Sequence, residues 1–163
     1  MKQLLFLGIF CLLFQNSWGQ NFANYTYNEA GFEVAMPRKP TTEERKIINR
    51  IYLMTAAEPD ETAYSVLVSK SVNNLESITG MTEKTFQQFA KNCEIKDKQG
   101  FTLADRTGIE SSIVTQQKLY INYRVIVVGN NAYQLMVACK NKFADQKKVR
   151  AFFRSFKIVE SQN

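Results

Sequence analysis

Tyr120-Ile121-Asn122-Tyr123-Arg124-Val125-Ile126-Val127-Val128, then Gly129-Asn130-Asn131, then Ala132-Tyr133-Gln134-Leu135-Met136-Val137-Ala138-Cys139: this stretch decides the fold. Both flanks are rich in β-branched and aromatic residues, and a three-residue Gly/Asn turn joins them, so they read as a β-hairpin. Apolar residues occupy both alternating sets of positions. That places Leu119–Val128 and Ala132–Cys139 in the middle of a sheet covered on both faces.

Working outward, Phe101–Thr107 and Ser111–Gln117 read as two further strands turning at Gly108, with Gly100 ending the polar stretch before them. Downstream, a helix runs from about Ala144 to Phe153 or a little beyond, with Val149, Phe152, Phe153 and Phe156 as its apolar stripe. Lys157–Val159 is a short closing strand. Upstream, Thr82–Cys93 is a helix with Thr82 as its N-cap. Phe86, Phe89, Ala90 and Cys93 lie on one side of it, and Lys84, Gln87, Gln88 and Lys91 on the other. Before it come strands at Tyr25–Tyr27 and Phe32–Met36, separated by a turn at Asn28–Gly31. A polar connector follows at Arg38–Thr42, then a strand at Lys46–Ala57, a turn at Glu58–Glu61 and a returning strand at Thr62–Val68. The expected class is α+β, an antiparallel β-sheet flanked by helices on its faces.

The chain has 163 residues and is 45% apolar and 22% charged, the balance of a globular domain rather than a disordered chain. There is no His, which excludes His-based catalytic triads and His-liganded zinc sites. The first residues carry an address. Lys2 precedes the apolar run Leu4–Phe14, and small residues stand at Ser17 and Gly19, the three-part pattern of a secretory signal peptide. As a helix the apolar run rises about 16 Å, well short of the roughly 30 Å hydrocarbon core of a bilayer. Residues 1–19 are therefore expected to be a cleaved signal, and residues 20–163 a single domain with no transmembrane segment, periplasmic or secreted. Cys93 and Cys139 then remain in an oxidising compartment and are disulfide candidates; two buried free thiols are the alternative.

The order of the pieces resembles the PsbP/Mog-type (DcrB-like) α/β/α sandwich family, in particular an exported bacterial member. The residues carrying the resemblance are Gly31-Phe32-Glu33-Val34-Ala35-Met36-Pro37, Tyr64-Ser65-Val66, the Thr82–Cys93 helix ahead of the meander, Tyr123-Arg124-Val125 with Tyr133-Gln134-Leu135, and Phe152-Phe153-Arg154-Ser155-Phe156. They span about Tyr25 to Val159. The family includes photosystem PsbP proteins, Ran-binding Mog proteins and DcrB-like envelope proteins, so the resemblance implies a protein-binding or assembly module. It carries over no binding residue.

The residues themselves assemble no catalytic constellation. Ser69-Lys70 is an adjacent Ser–Lys pair, but strand alternation points the two side chains to opposite faces. Glu58, Asp60 and Glu61 lack calcium-loop spacing and read as solvated turn residues. No cofactor or metal is expected, and no enzyme. The C-terminal segment is basic, and on its helix Lys147, Arg150 and Arg154 fall opposite the apolar stripe. They are the candidate partner-binding residues, for an anionic partner, a lipid headgroup or a polysaccharide; an ordinary solvated helix face is the plainer reading. Nucleic acid is not an expected partner of an exported chain. The strand tyrosines Tyr25, Tyr27, Tyr120, Tyr123 and Tyr133 either line a groove or fill sheet faces. The sequence thus points to a non-enzymatic interaction or accessory domain for an envelope complex. A small-ligand- or lipid-binding periplasmic domain is the alternative.

Overall fold

The computed structural model describes residues 22–46, 50–58 and 60–159. The expected signal peptide, residues 1–19, lies outside the described residues. In chain order the strands are β1 (Ala23–Tyr27), β2 (Phe32–Met36), β3 (Thr41–Lys46), β4 (Arg50–Ala57) and β5 (Ala63–Lys70). Helix α1 (Met81–Phe89) leads to β6 (Glu94–Leu103), β7 (Arg106–Val114), β8 (Leu119–Val128) and β9 (Asn131–Lys140). Helix α2 (Gln146–Ser155) and β10 (Lys157–Ile158) complete the described fold.

The opening hairpin is β8 and β9, in antiparallel register from Leu119 opposite Lys140 to Val128 opposite Asn131. Asn131 is therefore already in the strand, and Gly129, at φ 58°, takes the left-handed conformation of the turn. Around this hairpin an antiparallel seven-stranded sheet grows in the order β3-β4-β5-β9-β8-β7-β6. A separate three-stranded sheet, β1-β2-β10, carries the expected closing strand, antiparallel to β2.

The two faces of the large sheet are covered differently. On one face, β2 and α2 pack together over β4, β5 and β9. Phe32, Met36, Tyr64, Leu135, Phe152 and Phe156 are among the buried members of that core. The backbone N–H of Ala35 donates to Ser155 Oγ at 2.9 Å, tying β2 to the end of α2. On the other face, α1 covers β7 and β8 through Phe86, with Ala90 just past its end, against Ile113, Ile121, Tyr123 and Val125. One outer layer is thus a helix, and the other is a composite of a small sheet and a helix.

Several expected boundaries move. The Lys46–Ala57 strand is split: Lys46 ends β3, and β4 starts at Arg50. Thr41 and Thr42, expected in a connector, open β3. All six β3 residues are exposed, because it is a sheet edge, and its charges deter edge-to-edge pairing. The α1 helix begins at Met81 after Gly80 (φ 72°), so Thr82 lies in its first turn rather than at the cap, and Cys93 lies past its end. The expected turn at Gly108 falls instead at Ala104-Asp105, both left-handed at φ 47° and 60°. Gly100 and Gly108 lie inside β6 and β7.

The disulfide expectation is also corrected. Both cysteines are free thiols. Cys139 belongs to the α2-side core, and Cys93 packs on the α1-side cluster, so the sheet stands between them. A bridge needs Cα atoms within about 7 Å and converging Cβ vectors, which opposite faces of a sheet do not offer.

Candidate functional site

The site is built on one residue that interrupts an apolar strand. In β8, alternation puts Arg124 on the same face as Ile126, with Leu135 of β9 opposite it on one side and Glu110 of β7 on the other. An arginine at a sheet position needs a counter-ion, and Glu110 supplies it, accepting from Arg124 Nε and lying 2.5 Å from Nη2. The guanidinium also donates from Nη1 to the Phe153 carbonyl, at 3.3 Å. It also lies over two rings, with Phe101 at 4.7 Å and Phe153 at 4.6 Å from ring centroid to guanidinium carbon.

Gly108 explains how Phe101 gets there. The two residues are opposite each other in the β6–β7 register. A Cβ on Gly108 would stand 2.4 Å from the Phe101 ring and 2.8 Å from the Val125 carbonyl oxygen. Gly108 is the floor on which the ring lies, which is why a glycine sits mid-strand.

Between these groups and α2 is an open cleft of about 270 Å³. Its floor is Ile126 and Leu135, and Phe101, Leu103, Phe153 and Phe156 wall it. Arg124 and Arg154 are the charged groups on its lining. A larger hollow of about 400 Å³ lies on the opposite face, between α1 and β5–β9, but it is lined by Ser, Thr, Gln and apolar side chains without a charge. The arginine cleft is therefore the stronger candidate, because convergent charge fixes a ligand's orientation.

The candidate partner-binding residues Lys147, Arg150 and Arg154 are all exposed on α2. Only Arg154 reaches the cleft. Arg150 and Arg154 have no ion-pair partner among the described residues. Lys148, one position along, is engaged: its Nζ is 2.9 Å from Glu58, which also accepts from the Tyr64 hydroxyl at 3.1 Å. Burial, then the Glu58 carboxylate, push the Tyr64 phenol above its ordinary range.

The acidic turn residues are partnered rather than merely solvated. Besides Glu58, Asp60 accepts from the Thr62 N–H at 3.1 Å, and Glu61 pairs with Lys140 at 3.0 Å. Among the described residues no group of three or more His, Cys, Asp or Glu is arranged for a metal, and no helix is long and apolar enough to cross a membrane.

The strand tyrosines do not form a groove together. Tyr123 and Tyr133 are buried on opposite faces of the sheet, and Tyr123 donates to Gln134 at 2.7 Å while stacking on Phe89 at 4.1 Å. Tyr27 packs edge-on against Tyr52, and Tyr120 against Phe143. The cleft is lined by phenylalanines instead. Sequence reasoning missed Arg124, Glu110 and Phe101. The signal for Arg124 was present, a lone charge within Leu119–Val128. The partner that explains it is fourteen positions away on β7.

No family model matches the chain, and no curated protein matches it. Among solved structures it is similar to the solution structure of cyanobacterial PsbP (CyanoP) from Synechocystis sp. PCC 6803. The similarity has a TM-score of 0.54 at 11% identity, covering 88% of this chain and 96% of that one. A crystal structure from Bacteroides thetaiotaomicron aligns with a TM-score of 0.45 at 10% identity, and this chain spans 51% of its length. The fold is PsbP-like, as the sequence resemblance implied.

Proposed function

We propose that this chain is an exported, non-enzymatic accessory domain that docks an acidic surface of an envelope protein through the outer face of α2. The observation that carries this reading is the pair of exposed guanidinium groups, Arg150 and Arg154, which have no ion-pair partner among the described residues and stand on a helix whose inner side is locked into the core. Lys147 extends the same stripe. A cationic stripe on a well-packed helix steers an anionic partner and fixes its orientation. Export is supported by Leu4–Phe14 with Ser17 and Gly19, and the accessory role by the PsbP-like fold.

Two measurements test it. The intact mass of protein recovered from its host should begin at Gln20; a full-length mass contradicts export. A partner co-purified with the native chain should be lost on the double replacement Arg150→Glu with Arg154→Glu, with thermal stability unchanged. Retention of the partner contradicts docking through α2. A second reading, a domain that carries a small ligand, is favoured by the cleft beside the same helix.

A further inference from the structure

We propose that the cleft between α2 and strands β6, β8 and β9 is a binding site for a small organic monoanion, an aromatic or branched aliphatic carboxylate. The proposal shares Arg154 with the docking reading and otherwise rests on groups that reading does not use, Arg124 above all, while Arg150 belongs to the docking reading alone.

The size comes first. A volume of about 270 Å³ lies just under the roughly 300–1,000 Å³ of pockets for drug-sized ligands, so a smaller body fits. The walls decide its polarity: Phe101, Phe153 and Phe156 present ring surfaces, and Leu103, Ile126 and Leu135 are aliphatic. An apolar body is the complement of that lining.

The charges decide the head group. Two guanidinium groups, Arg124 and Arg154, line the cleft, and one carboxylate, Glu110, is bound to Arg124. One positive charge is left over, matching a monoanion and leaving a dianionic phosphate monoester half compensated. A guanidinium has five N–H donors in a planar fork. Those of Arg124 that the structure commits go from Nε and Nη2 to Glu110 and from Nη1 to Phe153, so donors remain on both terminal nitrogens. Arg154 has no ion-pair partner among the described residues and stands at the same opening. The Arg124 side chain is 20% exposed, and in such partly dry surroundings a carboxylate gains more from a guanidinium than it would in open water.

Arg124 is packed over two rings and anchored to Glu110 and the Phe153 carbonyl. That preorganisation lowers the ordering cost of binding.

The test is a nuclear magnetic resonance titration of the purified protein with phenylacetate, 2-phenylethanol and phenyl phosphate. Phenylacetate should give saturable shifts at Thr102, Arg124, Ile126, Leu135 and Arg154, with an affinity in the millimolar range or tighter. Phenylethanol, of similar shape without the charge, should bind about tenfold more weakly, and Arg154→Ala should weaken phenylacetate by about tenfold. Arg150→Glu should leave phenylacetate binding within about twofold, since Arg150 is not on the cleft lining. The proposal is overturned if no saturable shift appears, if the alcohol binds as well as the acid, or if phenyl phosphate binds more tightly. Shifts spread along the whole cationic side of α2, or an unchanged Arg154→Ala, overturn it equally.

Discussion

The two helices cover the same sheet from opposite sides and are anchored very differently. Helix α2 buries Val149, Phe152 and Phe153, is capped by Asp145 accepting the Lys147 N–H at 2.7 Å, and holds the β4–β5 turn through Lys148 and Glu58. Its last turn is tied to β2 through Ser155. Helix α1 buries Phe86 alone among its residues, and its N-cap is Gly80, with no side-chain cap. The contrast shows where this fold places rigidity. The helix that carries the exposed arginines and walls the cleft is the one fixed at both ends and along its length.

The sharpest way to break that comparison is to remove one aromatic from each helix. Phe152→Ala should cost about 3–5 kcal/mol, because the ring is fully buried and packs edge-on against Tyr64. Phe86→Ala should cost less, about 3 kcal/mol, since its smaller cluster relaxes more easily toward solvent. Urea denaturation of both variants measures the difference; equal losses would remove the asymmetry between the helices.

Gly108→Ala should cost about 1–3 kcal/mol by forcing the Phe101 ring off the strand, and it should also broaden or shift the Arg124 side-chain resonances. Glu58→Gln should cost about 1–2 kcal/mol. It strips the Lys148 ammonium of its counter-charge at a pair that is 20% and 13% exposed, too accessible for the full loss of a buried pair. Asp145→Ala should cost about 1 kcal/mol and raise amide exchange at Lys147, the residue whose N–H it caps.

The smallest effect is acid-dependent. The Thr62 backbone N–H beside Asp60 holds its carboxyl below the usual range. Its contribution is thus fully present above the unfolded pKa of about 3.9 and is lost as pH falls through the lower, folded value. Asp60→Asn should therefore make the fall in melting temperature between pH 6 and pH 3 slightly shallower. An unchanged acid limb would contradict that reading.

The parts of the fold legible in the sequence are those whose burial imposes a period. The β8–β9 hairpin and the Val149/Phe152/Phe153/Phe156 stripe of α2 are both covered by a core, and both read directly. β3 lacked such a signal, because an exposed edge strand has no buried face to impose alternation. The β6–β7 turn was misplaced because non-glycine residues, Ala104 and Asp105, take the left-handed positions, while the glycine that looked like punctuation makes room for a ring. The candidate site was half legible. Arg154 followed from helical spacing, whereas Arg124 needed Glu110, Phe101 and Phe153 brought together by tertiary pairing that no local window contains. The disulfide expectation rested on the expected export and had no register behind it, and the sheet stands between the two cysteines. Two alkylations of the unfolded, unreduced protein would check it.

The most direct test of docking through α2 is photocrosslinking in the host, with a photoreactive residue at Arg150 on α2 or at Gln87, exposed on α1. A reproducible protein adduct from position 150, absent from position 87, is the expected result. Adducts of equal yield from both positions, or from position 87 alone, would contradict docking through α2.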